Sequence, residues 1–295
     1  MKSRLILCVA SLVIILSGCR EIGPLGLDYT AVNENLFDTT YIAATVDNPQ
    51  DRIVLLEEFT GVQCVICPKA HKESARIIEE NPGKVIGVAI HSGFFAKGYS
   101  GISKQKFKIK EGEAIEAMIK GLGTNGIVGY PTGMINRKGF PDEVIYKLTQ
   151  WAVHVDEELL IAPDVNMSIS GSLDKNNLTV RVELHFINNS TEDNYISVMI
   201  LEDSIIDPQL GKLDTPGLGG IDTFYVHNNV LRDMLTPYNG FKIKHTLVPG
   251  RVVIQEFFFG DLPKEWNLNN CRIVAFVNRF KNDLEVLQAV QMDLN

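Results

Sequence analysis

The sequence predicts an α/β unit followed by an antiparallel β-sandwich of immunoglobulin-like type, and changes of hydrophobic period carry that reading. From Ile53 to Ile90 a buried strand, a helix with one apolar stripe and a second buried strand follow one another. That is the order of a parallel unit with a helical crossover. Beyond Pro163 the period falls to two, with Val180, Val182, Leu184 and Phe186 alternating against Thr179, Arg181, Glu183 and His185, as in a strand with one wet face. The chain of 295 residues, 45% apolar and 22% charged, is long enough for roughly two cores.

Lys2 and Arg4 precede a 12-residue, mostly apolar run, Leu5 to Leu16, closed by Ser17-Gly18-Cys19. A bilayer span needs about 20 apolar residues, so this run reads as a signal peptide of residues 1–18 rather than a membrane helix. The small residues before Cys19 point to a lipoprotein signal, with Cys19 as the lipid acceptor; an ordinary cleaved signal is the alternative. Residues 19–50 then form a tether, with a short strand at Tyr41 to Val46. Residues 51–161 make the α/β domain. Ile53 to Phe59 is its first strand, Cys64 to Glu80 a helix with Pro68 in the first turn, and Lys84 to Ile90 the second strand. A helical insertion near 92–128 follows, holding alternating Lys104, Lys106, Lys108 and Lys110 and a helix around Glu111 to Lys120. Gly133 to Asn136 is a short strand, Arg137-Lys138-Gly139 a turn, and Pro141 to Leu160 a long amphipathic helix. Residues 162–295 supply about seven strands and complete the sandwich.

Charge and cysteine use narrow the function. A net charge of −8 excludes a broad electrostatic footprint for nucleic acid. Of the five cysteines, Cys8 leaves with the signal and Cys19 takes the lipid, which leaves Cys64, Cys67 and Cys271. Cys271 shares strand parity with Ile273, Ala275 and Val277 and is expected in the core. Cys64-Val65-Ile66-Cys67 opens a helix, where unpaired N–H groups and the macrodipole favour a thiolate. Cys64 is therefore the candidate nucleophile, in an exposed first turn, and Cys67, one turn on, the candidate resolving thiol. A zinc ribbon would need a second cysteine pair or recruitment of His71 and His91. No metal or cofactor is expected.

Glu58-Phe59-Thr60-Gly61 before the cysteine pair, and Tyr130-Pro131-Thr132 far beyond it, resemble the thioredoxin-like superfamily over Ile53 to Leu160. The whole layout resembles the outer membrane protein 28-related lipoproteins of Gram-negative bacteria. The resemblance implies a lipid-anchored outer-membrane protein that exchanges thiols and disulfides with exported proteins or peptides. It implies Glu58 as proton acceptor for Cys67, Pro131 as a cis-proline facing the cysteines, and Tyr130 as a backbone contact for an extended substrate. Gln63 replaces the aromatic residue usual before the first cysteine. With no acidic run after Cys19, the anchor is expected to face the periplasm rather than the cell surface. The rival reading is a non-enzymatic outer-membrane binding or adhesion module in which Cys64–Cys67 is a structural staple. The lysines read as a solvated strand face, His91 as the start of a loop near the dithiol, and His227-Asn228-Asn229 with Arg232 as a turn-capping network.

Overall fold

A computed structural model describes residues 37–121, 129–139, 143–212, 219–280 and 283–294. The signal peptide, Cys19, most of the tether, the end of the expected insertion and the start of the helix expected from Pro141 lie outside the described residues.

The first half contributes β1 (Asp38–Ile42), β2 (Val54–Thr60), α1 (Cys67–Glu80), β3 (Val85–His91), α2 (Lys110–Gly121), β4 (Thr132–Ile135) and α3 (Trp151–Leu159). β2 and β3 pair in parallel through the α1 crossover, and every residue of both strands is buried. That is what their unbroken apolar runs require, since a strand covered on both faces has no polar side. β4 lies antiparallel on the other flank of β2. The long helix expected from Pro141 shortens to α3, because Tyr146 bridges back to Gly133 and holds the preceding segment extended. The lysine segment forms no strand; Lys110 opens α2, and Lys108 Nζ is held by the Gly93 carbonyl and Glu113.

The second half supplies β5 (Val165–Asp174), β6 (Asn177–Phe186) and β7 (Asn194–Glu202), then four two-residue strands, β8 (Ile205–Ile206), β9 (Gln209–Leu210), β10 (Ile221–Asp222) and β11 (Val226–His227). β12 (Val230–Met234), β13 (Phe241–Lys242), β14 (Arg251–Phe259), β15 (Cys271–Arg279) and β16 (Val286–Asp293) complete it. The described fold is mostly β. One sheet has the order β1-β14-β6-β5 and is antiparallel throughout. Its inner residues, among them Val180, Leu184 and Phe257, share a core with Ile196, Ile200, Ile273 and Val277 of β7 and β15. These layers do not close on themselves as a separate sandwich. β7 and β15 belong to an eight-stranded mixed sheet of order β16-β15-β7-β12-β3-β2-β4, with β13 added to β7. Val230 of β12 joins the two halves by pairing in parallel with Ala89 of β3. Periodicity shows which face of a strand is buried but not which neighbour it pairs with, so this junction is silent in the sequence. Cys271 is free and buried in the shared core, where burial pushes its thiol up to about 12.

The mixed sheet curls. Val286 N–H donates to the Asn136 carbonyl (2.8 Å) and Ile53 N–H to Gln288 Oε1 (3.0 Å), so β16 returns to the ends of β4 and β2. Leu55, Phe59, Ile90, Leu201 and Phe276 line the hollow, and Ile115 and Ile119 of α2 pack into it. Within this apolar space Arg137 donates bidentately to Glu57, at 2.7 and 2.6 Å, and lies 4.9 Å over the Phe276 ring. The turn expected at Arg137 is present, with Asn136 and Arg137 at φ of 47° and 50°. Their side chains fix it, Asn136 accepting from Leu55 N–H and donating to Glu158. Breaking a buried pair leaves an uncompensated charge, at a cost of about 3–5 kcal/mol. Arg137→Met is expected to lower the unfolding free energy in urea by that amount, and Glu57→Leu combined with Arg137→Met to lower it less than the single change; equal losses would show that the charge is immaterial.

Candidate functional site

The loop between β2 and α1 carries the two cysteines, joined as a disulfide with Cα atoms 5.4 Å apart. The helix begins at Cys67, not Cys64. Gly61 to Ile66 are committed to tight turns instead, in which Cys64 N–H donates to the Gly61 carbonyl (3.0 Å) and Cys67 N–H to the Cys64 carbonyl (3.3 Å). Cys67 N–H also reaches Cys64 Sγ, at 3.1 Å. Gly61 is obligatory, because a Cβ there would stand 2.4 Å from the Phe95 carbonyl carbon.

Burial corrects the expectation of an exposed Cys64. The residue is 4% exposed and Cys67 fully buried. The cause is a cover from the second half: Gln209 Nε2 donates to the Cys64 carbonyl (3.0 Å) and Leu210 N–H to the Val62 carbonyl (2.7 Å). Val65 and Ile66, between the cysteines, are exposed, as are Phe94 and Phe95. The Tyr130–Pro131 peptide is cis. Since Thr132 of β4 pairs with Phe59 of β2, Tyr130 and Pro131 sit at the sheet end from which the cysteine loop leaves. Phe95 spans the two segments, accepting from Gln63 N–H (2.9 Å) and packing its ring edge-on against Tyr130 with centroids 5.7 Å apart. Tyr130 hydroxyl meets Ser92 Oγ at 3.2 Å.

Alternation along β2 sends Glu57 into the sheet's hollow and Glu58 to the α1 side. Glu58 is 3% exposed, and its Oε1 accepts no hydrogen bond. His71 Nε2 approaches that oxygen to 3.4 Å. Burial holds the carboxyl well above its ordinary value and pulls His71 down to about 3, with His227 adding to the fall. Burial thus disfavours the charged form of both groups in this contact. His71 also meets Thr60 Oγ1 (2.8 Å) through Nε2 and the Tyr225 hydroxyl (2.7 Å) through Nδ1.

Side chains absent from the sequence-derived site converge here. His227 is buried rather than capping a turn; its ring lies 5.8 Å from His91 and 4.6 Å from Phe107. His91 ends β3 instead of starting a loop. Burial lowers His227 to about 4 and His91 well below its usual value. His71 had a legible signal, standing four residues after Cys67 on the same helical face. Tyr225, His227 and Gln209 had none, since β9 and β11 are two-residue strands with no readable period. Among the described residues no cluster suits a metal ion, and no helix is long and apolar enough to cross a membrane.

The sign of the Glu58 shift gives a test. Above the ordinary value of 4.5 the folded protein keeps a proton that the unfolded chain has lost, so stability falls as pH rises from there to the folded-state value. Glu58→Gln removes this loss. Thermal unfolding is expected to show the variant more stable than the parent at pH 8 and the gain vanishing below about pH 4.5; a pH-independent difference would contradict the shift.

Comparison with known proteins adds family and fold. The family described as outer membrane protein Omp28 matches residues 122–295, more than half of the chain. HBP35 of Porphyromonas gingivalis is similar in structure, with a TM-score of 0.63 at 17% identity, covering 84% of this chain and 76% of that one. A protein of Agrobacterium tumefaciens known from a crystal structure has a TM-score of 0.50 at 15% identity, covering 83% and 96% respectively. At such identities the likeness is one of fold. No curated protein matches the chain in sequence.

Proposed function

This chain belongs to the outer membrane protein Omp28 family, and from that premise we propose that it is a lipid-anchored envelope protein whose Cys64–Cys67 pair exchanges thiols and disulfides with exported proteins. One observation carries the reading: a disulfide at the start of α1 shares a sheet end with Tyr130–Pro131 and with the buried Glu58 of β2. In this reading residues 51–161 act as a thioredoxin-like unit and 162–295 as its β-rich cover. Exposed Val65, Ile66 and Phe94 offer an apolar rim to an unfolded substrate, and Tyr130 its backbone.

The chemistry follows from the local groups. In the reduced form Cys64 thiolate attacks a substrate disulfide, forming a mixed disulfide and releasing one substrate thiolate. Once Glu58 has released its own proton it takes that of Cys67, which attacks Cys64 Sγ; the Cys64–Cys67 bond forms and the second substrate sulfur leaves as thiolate. The substrate gains the two electrons that the dithiol loses. Cys67 N–H, 3.1 Å from Cys64 Sγ, is placed to hold charge on Cys64, which favours it as the attacking thiolate. Burial moves Glu58 in the direction that a proton acceptor working near neutral pH requires.

A second reading, a binding module with a structural staple, draws on two observations: Cys64 is nearly buried, and the family match begins beyond both cysteines. Against it, closing so short a loop stabilises a fold by only about 2 kcal/mol in the chain-entropy model. Cys67→Ser is expected to accumulate thiol-labile adducts on Cys64 in the native envelope, Cys64→Ser to form none, and the parent disulfide to have a potential above about −300 mV. No adducts together with a lower potential would favour the staple.

The lipid anchor on Cys19, in the outer membrane and facing the periplasm, completes the proposal. Cys19→Ala is expected to abolish incorporation of a fatty-acid analogue, because the 12-residue apolar run is too short to serve as a span. Equal label in variant and parent would refute the anchor.

A further inference from the structure

A buried carboxyl that takes a proton from Cys67 in each turnover must also give it up. Glu58 lies nearly out of contact with bulk water, but a cavity of about 300 Å³ reaches it between α1 and the β11 turn, lined by Glu58, His71, Lys72, Tyr225, Asn228 and Asn229. Across that cavity three groups stand in series. Glu58 Oε1 is 3.4 Å from His71 Nε2, and His71 Nδ1 is 2.7 Å from the Tyr225 hydroxyl. Tyr225 is partly exposed and is followed by exposed Val226.

Resting on the exchange reading, we propose that His71 and Tyr225 form the proton path between Glu58 and solvent, so that the second half of the chain supplies part of the redox site. The balance is simple. Protonated Glu58 delivers its proton to Nε2 of a His71 that carries hydrogen on Nδ1; the Nδ1 proton passes to the Tyr225 oxygen as that hydroxyl releases its own to solvent. Glu58 is left a carboxylate, Tyr225 is again neutral, and His71 has exchanged one neutral tautomer for the other. No imidazolium is formed, in keeping with a histidine that burial makes hard to charge. The side chain of His71 is 17% exposed, so exchange with solvent restores the starting tautomer. Reverse flow serves the opposite redox direction.

Other groups around the path leave it open. His227 on β11 and His91 on β3 are held neutral by burial. Burial, with Glu58 and then Asp222 on β10 adding to it, raises the Tyr225 hydroxyl, which therefore stays protonated between transfers. Lys72 on α1 lines the cavity, and Arg232 on β12 acts on His91 rather than on the path. Thr60 Oγ1, 2.8 Å from Nε2, orients the ring.

The test follows two phases in the reduced, full-length chain after mixing with an aromatic disulfide that releases a coloured thiolate. The first release reports attack by Cys64, the second attack by Cys67. Tyr225→Phe keeps the ring and removes the hydroxyl, and His71→Gln supplies a second variant should either fold poorly. Both are expected to slow the second phase at least tenfold at neutral pH, to leave the first unchanged, and to make the second rate rise with buffer-base concentration, because a diffusing base must then collect the proton. Glu58→Gln with Tyr225→Phe is expected to be no slower than Glu58→Gln alone. An unchanged, buffer-independent second phase in folded Tyr225→Phe and His71→Gln overturns the path while leaving exchange intact. A parent that shows no second phase refutes the exchange reading and the path together.

Discussion

Two consecutive carboxyl groups buried in one strand set the terms for the rest of the structure. Glu57 and Glu58 sit in β2, within a run whose every residue is buried, and the pleat sends them to opposite faces. Neither face offers water, so each needs its own means of bearing a carboxyl. On the inner face Arg137 neutralises Glu57 with two hydrogen bonds. That demands a turn with Asn136 and Arg137 in the left-handed region, and the Asn136 bonds to β2 and Glu158 hold it there. On the outer face no lysine or arginine is paired with Glu58 among the described residues. Burial raises its carboxyl instead, and it faces a histidine that burial keeps neutral. The contrast between a paired carboxylate and one left without a cationic partner, one residue apart, is made without any change in sheet geometry.

The second consequence is that the cysteine loop is not the property of one half of the chain. Gln209 and Leu210 hold the cysteine loop from above, and Tyr225 and His227 close the flank of α1. These contacts rest on β12, whose parallel pairing with β3 fuses the two halves into one sheet. Arg272 strengthens the seam by reaching Asp203, Asn229 and the Gly87 carbonyl. Because Asn229 also accepts from Ala89 N–H through its carbonyl (2.7 Å), the turn after β11 is fixed to the strand that ends at His91. Opening Cys64, as the exchange reading requires, therefore means moving the short β9 segment that Gln209 and Leu210 hold to the loop, not disrupting the β3–β12 seam.

What the sequence revealed and what it hid divide along physical lines. The β2–α1–β3 unit, β4, α2 and the long strands β6, β7, β14, β15 and β16 were legible because each buries one or both faces over enough residues to print a period. The disulfide and the cis peptide at Pro131 were legible from local chemistry and the resemblance it supports. Cys64 was misjudged because exposure is a tertiary quantity: nothing between Gly61 and Pro68 foretells the Gln209 cover. The helix expected from Pro141 was overextended because Val144, Ile145 and Leu148 have helical spacing, while the Tyr146–Gly133 bridge that overrides it is non-local. The partners of His71 were invisible for the same reason, being 154 residues away in the case of Tyr225.

The electrostatics of the site also bear on the direction of exchange. An oxidising dithiol draws its force from a strongly stabilised thiolate in the reduced form. Here His71, His91 and His227 are all held neutral by burial, so the imidazoles nearest the cysteine helix bring no positive charge at neutral pH. Stabilisation of a Cys64 thiolate then falls to the start of α1 and the Cys67 N–H. A helix terminus contributes typically 0.3–1 kcal/mol and up to about 2. A thiolate stabilised by so little leaves the reduced state only mildly favoured. Within the exchange reading, this places the dithiol toward donating electrons to substrate disulfides rather than forming them. In the same reading the buried acid gains its purpose: the helix favours charge on Cys64 alone, Cys67 remains a thiol until Glu58 takes its proton, and the order of the two steps is set by which sulfur the backbone can reach.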